Sequence, residues 1–191
     1  MVEVAMSVQL LRRKFTVEQY HKMGESGILN EDDRVELIRG EIVEMASIGR
    51  RHAACVGRLT ELFIVRLAQM VIVWPQNPVE LDENSEPQPD VTLLRRRADF
   101  YESGHPQPED IILLVEVADT TVESDRNVKI PLYAENGIVE TWLVNINEQC
   151  VEVYRSPSPT GYQNVQRFQR GQSLSILAFP DITITVDEVL G

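Results

Sequence analysis

Two acids occupy places where a carboxylate is costly. Asp90 opens the apolar run Val91-Thr92-Leu93-Leu94, and Glu116 nearly closes another, Ile111-Ile112-Leu113-Leu114-Val115-Glu116-Val117-Ala118. Acids make up 30 of the 191 residues, so an acid alone carries no information. One embedded in a Val/Ile/Leu strand does, because burying a lone carboxylate is expensive and demands a partner. If the runs 91–95 and 111–118 pair antiparallel across their polar loop, the start of one lies beside the end of the other, and Asp90 and Glu116 become neighbours. Residues 112, 114 and 116 then share a face, so Glu116 follows two apolar side chains. Two carboxylates about 4 Å apart repel by roughly 4 kcal/mol at an effective dielectric near 20, a large part of the roughly 5–15 kcal/mol that holds a typical domain together. Such a pair requires a proton or a cation, and oxygen ligands favour Mg²⁺ or Mn²⁺ with waters completing the shell. The chain has three lysines. Lys14 and Lys22 bracket an N-terminal helix as ordinary surface charges. Lys129 lies in the segment that folds back from the acid-bearing strand, where an ammonium reaches the carboxylates or a bound water. Tyr133, four residues on, shares its face if that segment is helical.

The elements that must position these groups follow from pattern. Thr16 with Glu18-Gln19 predicts a capped helix to about Gly24. The runs 34–39 and 41–45 flank Gly40 as a hairpin. Val56, Leu59, Leu62, Phe63, Leu67 and Met70 recur at helical spacing, which predicts the main core helix over 52–70. A short strand is expected near 71–74, then the Pro-rich segment 75–89, then the two acid-bearing strands. A helix follows Asp125 and ends at Asn136-Gly137, either kinked at Pro131 or starting later. Residues 140–146 and 150–155 form a hairpin across Asn147-Glu148-Gln149, and strands near 162–168, 173–177 and 182–186 finish the chain. The order predicts an α/β (α+β mixed) fold, a mixed sheet flanked by helices with an N-terminal helix and hairpin and a C-terminal β-meander, in a single domain over 1–191.

Composition narrows the function classes. The net charge of −12 disfavours non-specific coating of nucleic acid. Arg12-Arg13-Lys14, Arg50-Arg51 and Arg95-Arg96-Arg97 are local basic clusters, read first as solvated charges. Cys55 and Cys150 lie far apart without metal-like spacing, as expected of core residues in a reducing, cytoplasmic setting. Residues 1–6 lack a basic region and a long apolar core, so no signal peptide is expected. No run approaches the roughly 20 apolar residues of a membrane helix, so no membrane partner is expected. There is no phosphate-binding Gly-rich loop and no serine elbow, and His21, His52 and His105 are too scattered to suggest a zinc site.

Asp90, Glu116 and Lys129 together resemble the PD-(D/E)xK nuclease constellation. The wider pattern is similar to the Uma-two family of restriction-endonuclease-like proteins: Phe15-Thr16-Val17-Glu18-Gln19-Tyr20, Glu36-Leu37-Ile38-Arg39-Gly40-Glu41, His52, Pro87-Gln88-Pro89-Asp90, Glu116-Val117-Ala118-Asp119, Asp125-Arg126 with Lys129, and Tyr133-Ala134 with Trp142-Leu143-Val144. Their joint order, over roughly 15–190, carries the resemblance. Ala118 stands where the general motif has lysine, and the resemblance implies that Lys129 supplies the ammonium. It further implies a restriction-endonuclease-like core, hydrolysis of DNA phosphodiesters, Mg²⁺ held by Asp90, Glu116 and the Val117 carbonyl, Lys129 orienting water or steadying transition-state charge, and a homodimer. Glu36 is either a further carboxylate at the metal or a solvent-facing hairpin acid. His52 either meets a phosphate or caps its helix, and Tyr133 is a candidate substrate contact. Asp119 and Asp125 read as loop and cap residues. Two other classes stay open: a nuclease-like module that binds without cutting, which the acidic charge and Ala118 favour, and a structural or regulatory dimer.

Overall fold

Residues on alternate sides of two adjacent strands enter two different hydrophobic clusters, so the central sheet is buried on both faces. In the computed structural model, which describes residues 12–30, 32–67 and 69–191, Val91, Leu93, Leu113, Val115 and Val117 pack on one side and Leu94, Leu114 and Ala118 on the other. Double burial is why these strands read as continuous apolar runs rather than alternating ones. The expectation about residues 1–6 lies outside the described residues.

The chain begins with α1 (Val17–Glu25), closed at its start by a reciprocal cap between Thr16 and Gln19. A hairpin follows, β1 (Val35–Ile38) and β2 (Glu41–Glu44). Its turn needs left-handed backbone at Arg39 and Gly40, and a Cβ on Gly40 would stand 2.7 Å from Lys14 Cβ. The long helix α2 (Arg50–Leu67) lays Cys55, Val56, Leu59, Phe63 and Leu67 on one sheet face. Met70, expected on that face, is exposed beyond the helix end.

The main sheet runs β3 (Ile72–Pro75), β4 (Val91–Leu94), β5 (Ile111–Ala118), β6 (Glu140–Asn145), β7 (Cys150–Arg155) and β8 (Asn164–Gln169), in that spatial order. All neighbours are antiparallel except β5 and β6. Val91 stands opposite Val115, so Asp90 and Glu116 face each other across the β4–β5 pair. The expected shared face of 112, 114 and 116 holds only in part. The register shifts beyond Leu93, putting Ile112 with the α2-side cluster while Leu114 stays on Glu116's side.

Parallel pairing of β5 with β6 requires a crossover, and that crossover carries Lys129. It comprises α3 (Val122–Ser124), a π-helical turn (Asp125–Lys129) and α4 (Ile130–Glu135). Pro131 sits in the first turn of α4, where a missing N–H costs least. Its kink therefore appears as the wider turn before it. A meander forms over β6–β7–β8 but, against the expectation of a C-terminal one, does not continue into the last strands. The last two strands, β9 (Ser173–Ile176) and β10 (Phe179–Thr185), form a separate pair, and α5 (Val186–Leu190) ends the chain.

Buried Glu140 ties that separate pair to the main sheet. It accepts hydrogen bonds from Trp142 Nε1 (2.9 Å), Arg155 Nη2 (2.6 Å) and the Leu177 amide (2.6 Å), while Arg155 also donates to Ser175 O (2.6 Å). Removing one partner strands the other's charge, so Glu140→Ala should cost about 3–5 kcal/mol in urea unfolding. A loss under 1 kcal/mol would show that the pair is not what anchors β9 and β10.

Candidate functional site

Lys129 reaches out of the crossover to two acids from distant parts of the chain. Its Nζ lies 3.0 Å from Glu36 Oε2 and 3.3 Å from Glu116 Oε1. Glu36 is buried on β1 and accepts the Gln88 amide at 3.1 Å, so it is an inward group and not a solvent-facing hairpin acid. The backbone bridge between Leu37 and Glu86 brings the hairpin against the segment leading to Asp90. Glu116 is buried near the end of β5, and Tyr133 donates its hydroxyl to the same Oε1 at 2.5 Å.

Asp90 is held from two sides. Its Oδ2 accepts the Val117 amide at 2.8 Å and lies 3.0 Å from His52 Nε2. His52 is thus a partner of Asp90, not a helix cap; its Nδ1 is buried without a hydrogen bond. The Asp90 carboxylate raises the His52 pKa, against an opposing effect of burial. Tyr133 is fully buried and stands behind Glu116, away from the cleft wall, so the expected direct substrate contact does not fit its position.

Asp125 was expected as a cap residue and is instead buried on the same cleft, accepting a hydrogen bond from Thr121 Oγ1 at 2.6 Å. The spacing Asp125, Lys129, Tyr133 was the available signal, since positions four apart share a helical face. Asp119 also lines the cleft and meets Arg51 at 3.2 Å. Arg51 is exposed but is not simply a solvated charge, since it also donates to Asn147 Oδ1 at 3.1 Å and Ile146 O at 3.2 Å.

These groups line a cleft of about 160 Å³, ample for several waters and an ion, since one water needs roughly 10–15 Å³ of such space. Glu36, Asp90, Glu116 and Asp125 line this cleft together with one buried ammonium. Burial pushes the Glu116 carboxyl well above its usual range, and Asp125, Asp90 and Glu36 push it further against the pull of Lys129. Asp125 is raised mainly by burial as well. Burial alone would lower Lys129, but Glu116, Glu36 and Asp125 outweigh it and hold the ammonium protonated. Burial and the Glu116 charge keep Tyr133 a phenol.

The donor set suits a hard divalent cation, because every group is an oxygen and negative charge is in excess. Asp90 and Glu116 would hold it from opposite strands. Among the described residues, triads of His, Cys, Asp or Glu with ligand atoms within 4.8 Å of one another occur elsewhere, at His21–Glu86–His105 and Glu148–Cys150–Glu152. A cation in the cleft would therefore need backbone and water oxygens beside the two acids. The first triad also corrects the expectation that the histidines are scattered, since the His21 and His105 rings lie 5.7 Å apart.

The raised Glu116 carboxyl has a consequence for stability without metal. Ionising an acid whose folded pKa exceeds its unfolded value opposes folding. The stability present below about pH 4.5 is lost as pH rises through the folded pKa. In chelator at pH 8, Glu116→Gln should melt above the unsubstituted chain, by about 2–4 °C per kcal/mol relieved. A lower melting temperature would show that the bond to Lys129 outweighs the cost of burial.

A search of curated proteins found no match. A solved structure from Anabaena variabilis, described as a putative nuclease belonging to DUF820, shares the fold with a TM-score of 0.69 at 16% identity, over 92% of this chain and 97% of that one. The family model Uma2, described as "Putative restriction endonuclease", matches residues 17–187. That span takes in the hairpin, both acid-bearing strands and the crossover, and the chain belongs to the Uma2 family.

Proposed function

We propose that the chain is a divalent-metal-dependent nuclease that hydrolyses phosphodiester bonds in DNA. The observation that carries this reading is the excess of buried carboxylate around one ammonium in an open cleft. Folding tolerates such an arrangement at a cost, and active sites are where that cost recurs. Membership of a restriction-endonuclease-like family supports the same reaction class.

Asp90, Glu116 and the Val117 carbonyl would hold Mg²⁺ or Mn²⁺. When bound, the ion supplies Lewis-acid polarisation of the phosphate and a lowered pKa for water. Lys129, kept protonated by its acids, orients the attacking water or stabilises charge developing on the phosphate. It does not serve as a free base. His52 and the Val117 amide fix the Asp90 carboxylate, leaving Oδ1 for the ion. Tyr133 fixes Glu116 in the same way, which makes both His52 and Tyr133 positioning residues. Glu36 holds Lys129 in place. The N-terminal end of α2 opens on the cleft at Gly49 and His52, and its free amides suit a phosphate. Arg34 on the cleft wall and exposed Arg50 and Arg51 add local positive charge against the acidic total.

Purified protein incubated with linear, circular and single-stranded DNA in Mg²⁺ or Mn²⁺ tests the reading. Asp90→Ala and Glu116→Ala should abolish cleavage. Lys129→Met should lower the rate by about 10²–10³-fold, the usual cost of one charge-stabilising donor, while retaining metal affinity. Tyr133→Phe should cost less than Lys129→Met. Cleavage that survives both alanine substitutions would move the chemistry elsewhere. Salt-dependent DNA binding with no cleavage in either metal would favour the module that binds without cutting.

A further inference from the structure

His21, Glu86 and His105 come from three separate segments and meet away from the catalytic cleft. His21 is on α1, Glu86 on the strand-like segment beside β1, and His105 in the loop between β4 and β5. One ligand atom of each lies within 4.8 Å of the others. His21 Nε2 is 2.8 Å from Glu86 Oε2, and the two imidazole rings are tilted by 59° with centroids 5.7 Å apart. We propose that these three side chains form a second metal site, one that takes a borderline transition-metal ion of the Zn²⁺ class and clips α1 to the two loops.

The ligand chemistry separates this site from the cleft. Two imidazole nitrogens with one carboxylate suit Zn²⁺ and its neighbours, whereas Mg²⁺ prefers oxygen alone. Tetrahedral ligands at about 2.0–2.1 Å from Zn²⁺ sit about 3.4 Å apart, a distance that small side-chain rotations reach from the present arrangement. His21 has a side-chain exposure of 40%, which leaves room for water as the fourth ligand.

Charge supports the assignment. Glu86 is buried at 5% exposure, and its ion-pair partner among the described residues is His21, charged only when protonated. A buried carboxylate with so weak a counter-charge has need of a cation. The other triad offers a contrast. Glu148 is paired with Arg167, and Glu152 with Arg126 at 2.7 Å and the Tyr154 hydroxyl at 2.5 Å, so its acids are already neutralised.

The ligands are also pre-positioned by backbone bonds. Val17 N donates to Glu83 O at 2.8 Å, Glu86 N to Leu37 O at 2.8 Å, and Glu80 N to Pro106 O at 2.9 Å. These bonds fix the start of α1, the Glu86 segment and the residue after His105 to one another. Glu86 lies two residues before Gln88, whose amide holds Glu36, and four before Asp90. An ion here therefore braces the same segment that carries part of the cleft.

The test uses the full chain with Asp90→Ala and Glu116→Ala already in place, so that the cleft acids are out of the measurement and its outcome does not depend on nuclease activity. Calorimetric titration with ZnCl₂ should show one equivalent bound, and the melting temperature should rise with Zn²⁺ but not with Mg²⁺. Adding His105→Ala, which leaves the His21–Glu86 pair intact, should weaken Zn²⁺ binding at least tenfold and remove the thermal response. His21→Ala should do the same, and circular dichroism confirms that each variant is folded. Cys150→Ser should change neither. The proposal is overturned if no Zn²⁺ binds at 100-fold excess over protein, or if binding and thermal shift persist unchanged in both histidine variants.

Discussion

The structure depends on one ammonium held between two carboxylates that start far apart in the chain. Lys129 bonds Glu36 from the hairpin and Glu116 from β5, so it joins the N-terminal hairpin, the central sheet and the crossover at one point. The bond is strong because it is dry. All three groups are nearly inaccessible to water, and a pair in such surroundings interacts several times more strongly than one at the surface. The same dryness makes it demanding, since burial pushes Glu116 toward its neutral form and offsets what the contact with Lys129 returns. Glu36, Asp90, Glu116 and Asp125 share the cleft with this one buried ammonium, so the acids there outnumber the buried cation that offsets them.

The crossover reaches Glu116 through its irregularity. A regular helix across Pro131 would set the proline ring against the carbonyl of Asn127 and waste a hydrogen bond. The chain instead widens into a π-helical turn over Asp125–Lys129 and resumes as α4 with Pro131 in its first turn. Such turns are uncommon and concentrate at functional sites. Here the turn brings Asp125 and Lys129 onto the cleft while Tyr133, one turn further, meets Glu116 from behind. A local concession to proline thereby becomes the device that brings Lys129 and Tyr133 to one carboxylate and sets Asp125 on the same cleft.

Much of this was legible in the sequence because the signals were local. The cap at Thr16, the left-handed turn at Gly40, the helical spacing from Val56 to Leu67 and the apolar runs around Asp90 and Glu116 all report on residues within a few positions of themselves. The approach of Asp90 to Glu116 could be anticipated because two apolar runs joined by one polar loop, with no helix between them, pair most simply as antiparallel neighbours. What escaped depended on three-dimensional context. The register shift at Leu93 moved Ile112 to the other face, and no residue type announces it. The convergence of His21 with His105 arises from helix α1 packing beside the β4–β5 loop, more than eighty residues further along the chain. Asp125 looked like a cap because aspartate favours caps, and only the crossover's path shows it turned inward. The final helix was missed although Thr185 and Glu188 spell a reciprocal cap, a signal overridden by the β-branched run Ile182-Thr183-Ile184-Thr185.

Ala118 stands where the general nuclease motif has lysine, and its surroundings give a packing reason for a small residue there. It is fully buried on the Glu116 face of β5, in the cluster that includes Ile130 and Tyr133. A lysine there would have to drive its stem into the space α4 occupies, pushing away the helix that delivers Tyr133 and follows directly on Lys129. A small residue at 118 is what lets the crossover settle against the strand. The ammonium then arrives from the crossover rather than from the strand, at a distance from Glu116 that a hydrogen bond can span. The missing lysine and the displaced one are therefore linked by packing: the strand position is small because the charge comes from above it, and the charge can come from above because the strand position is small.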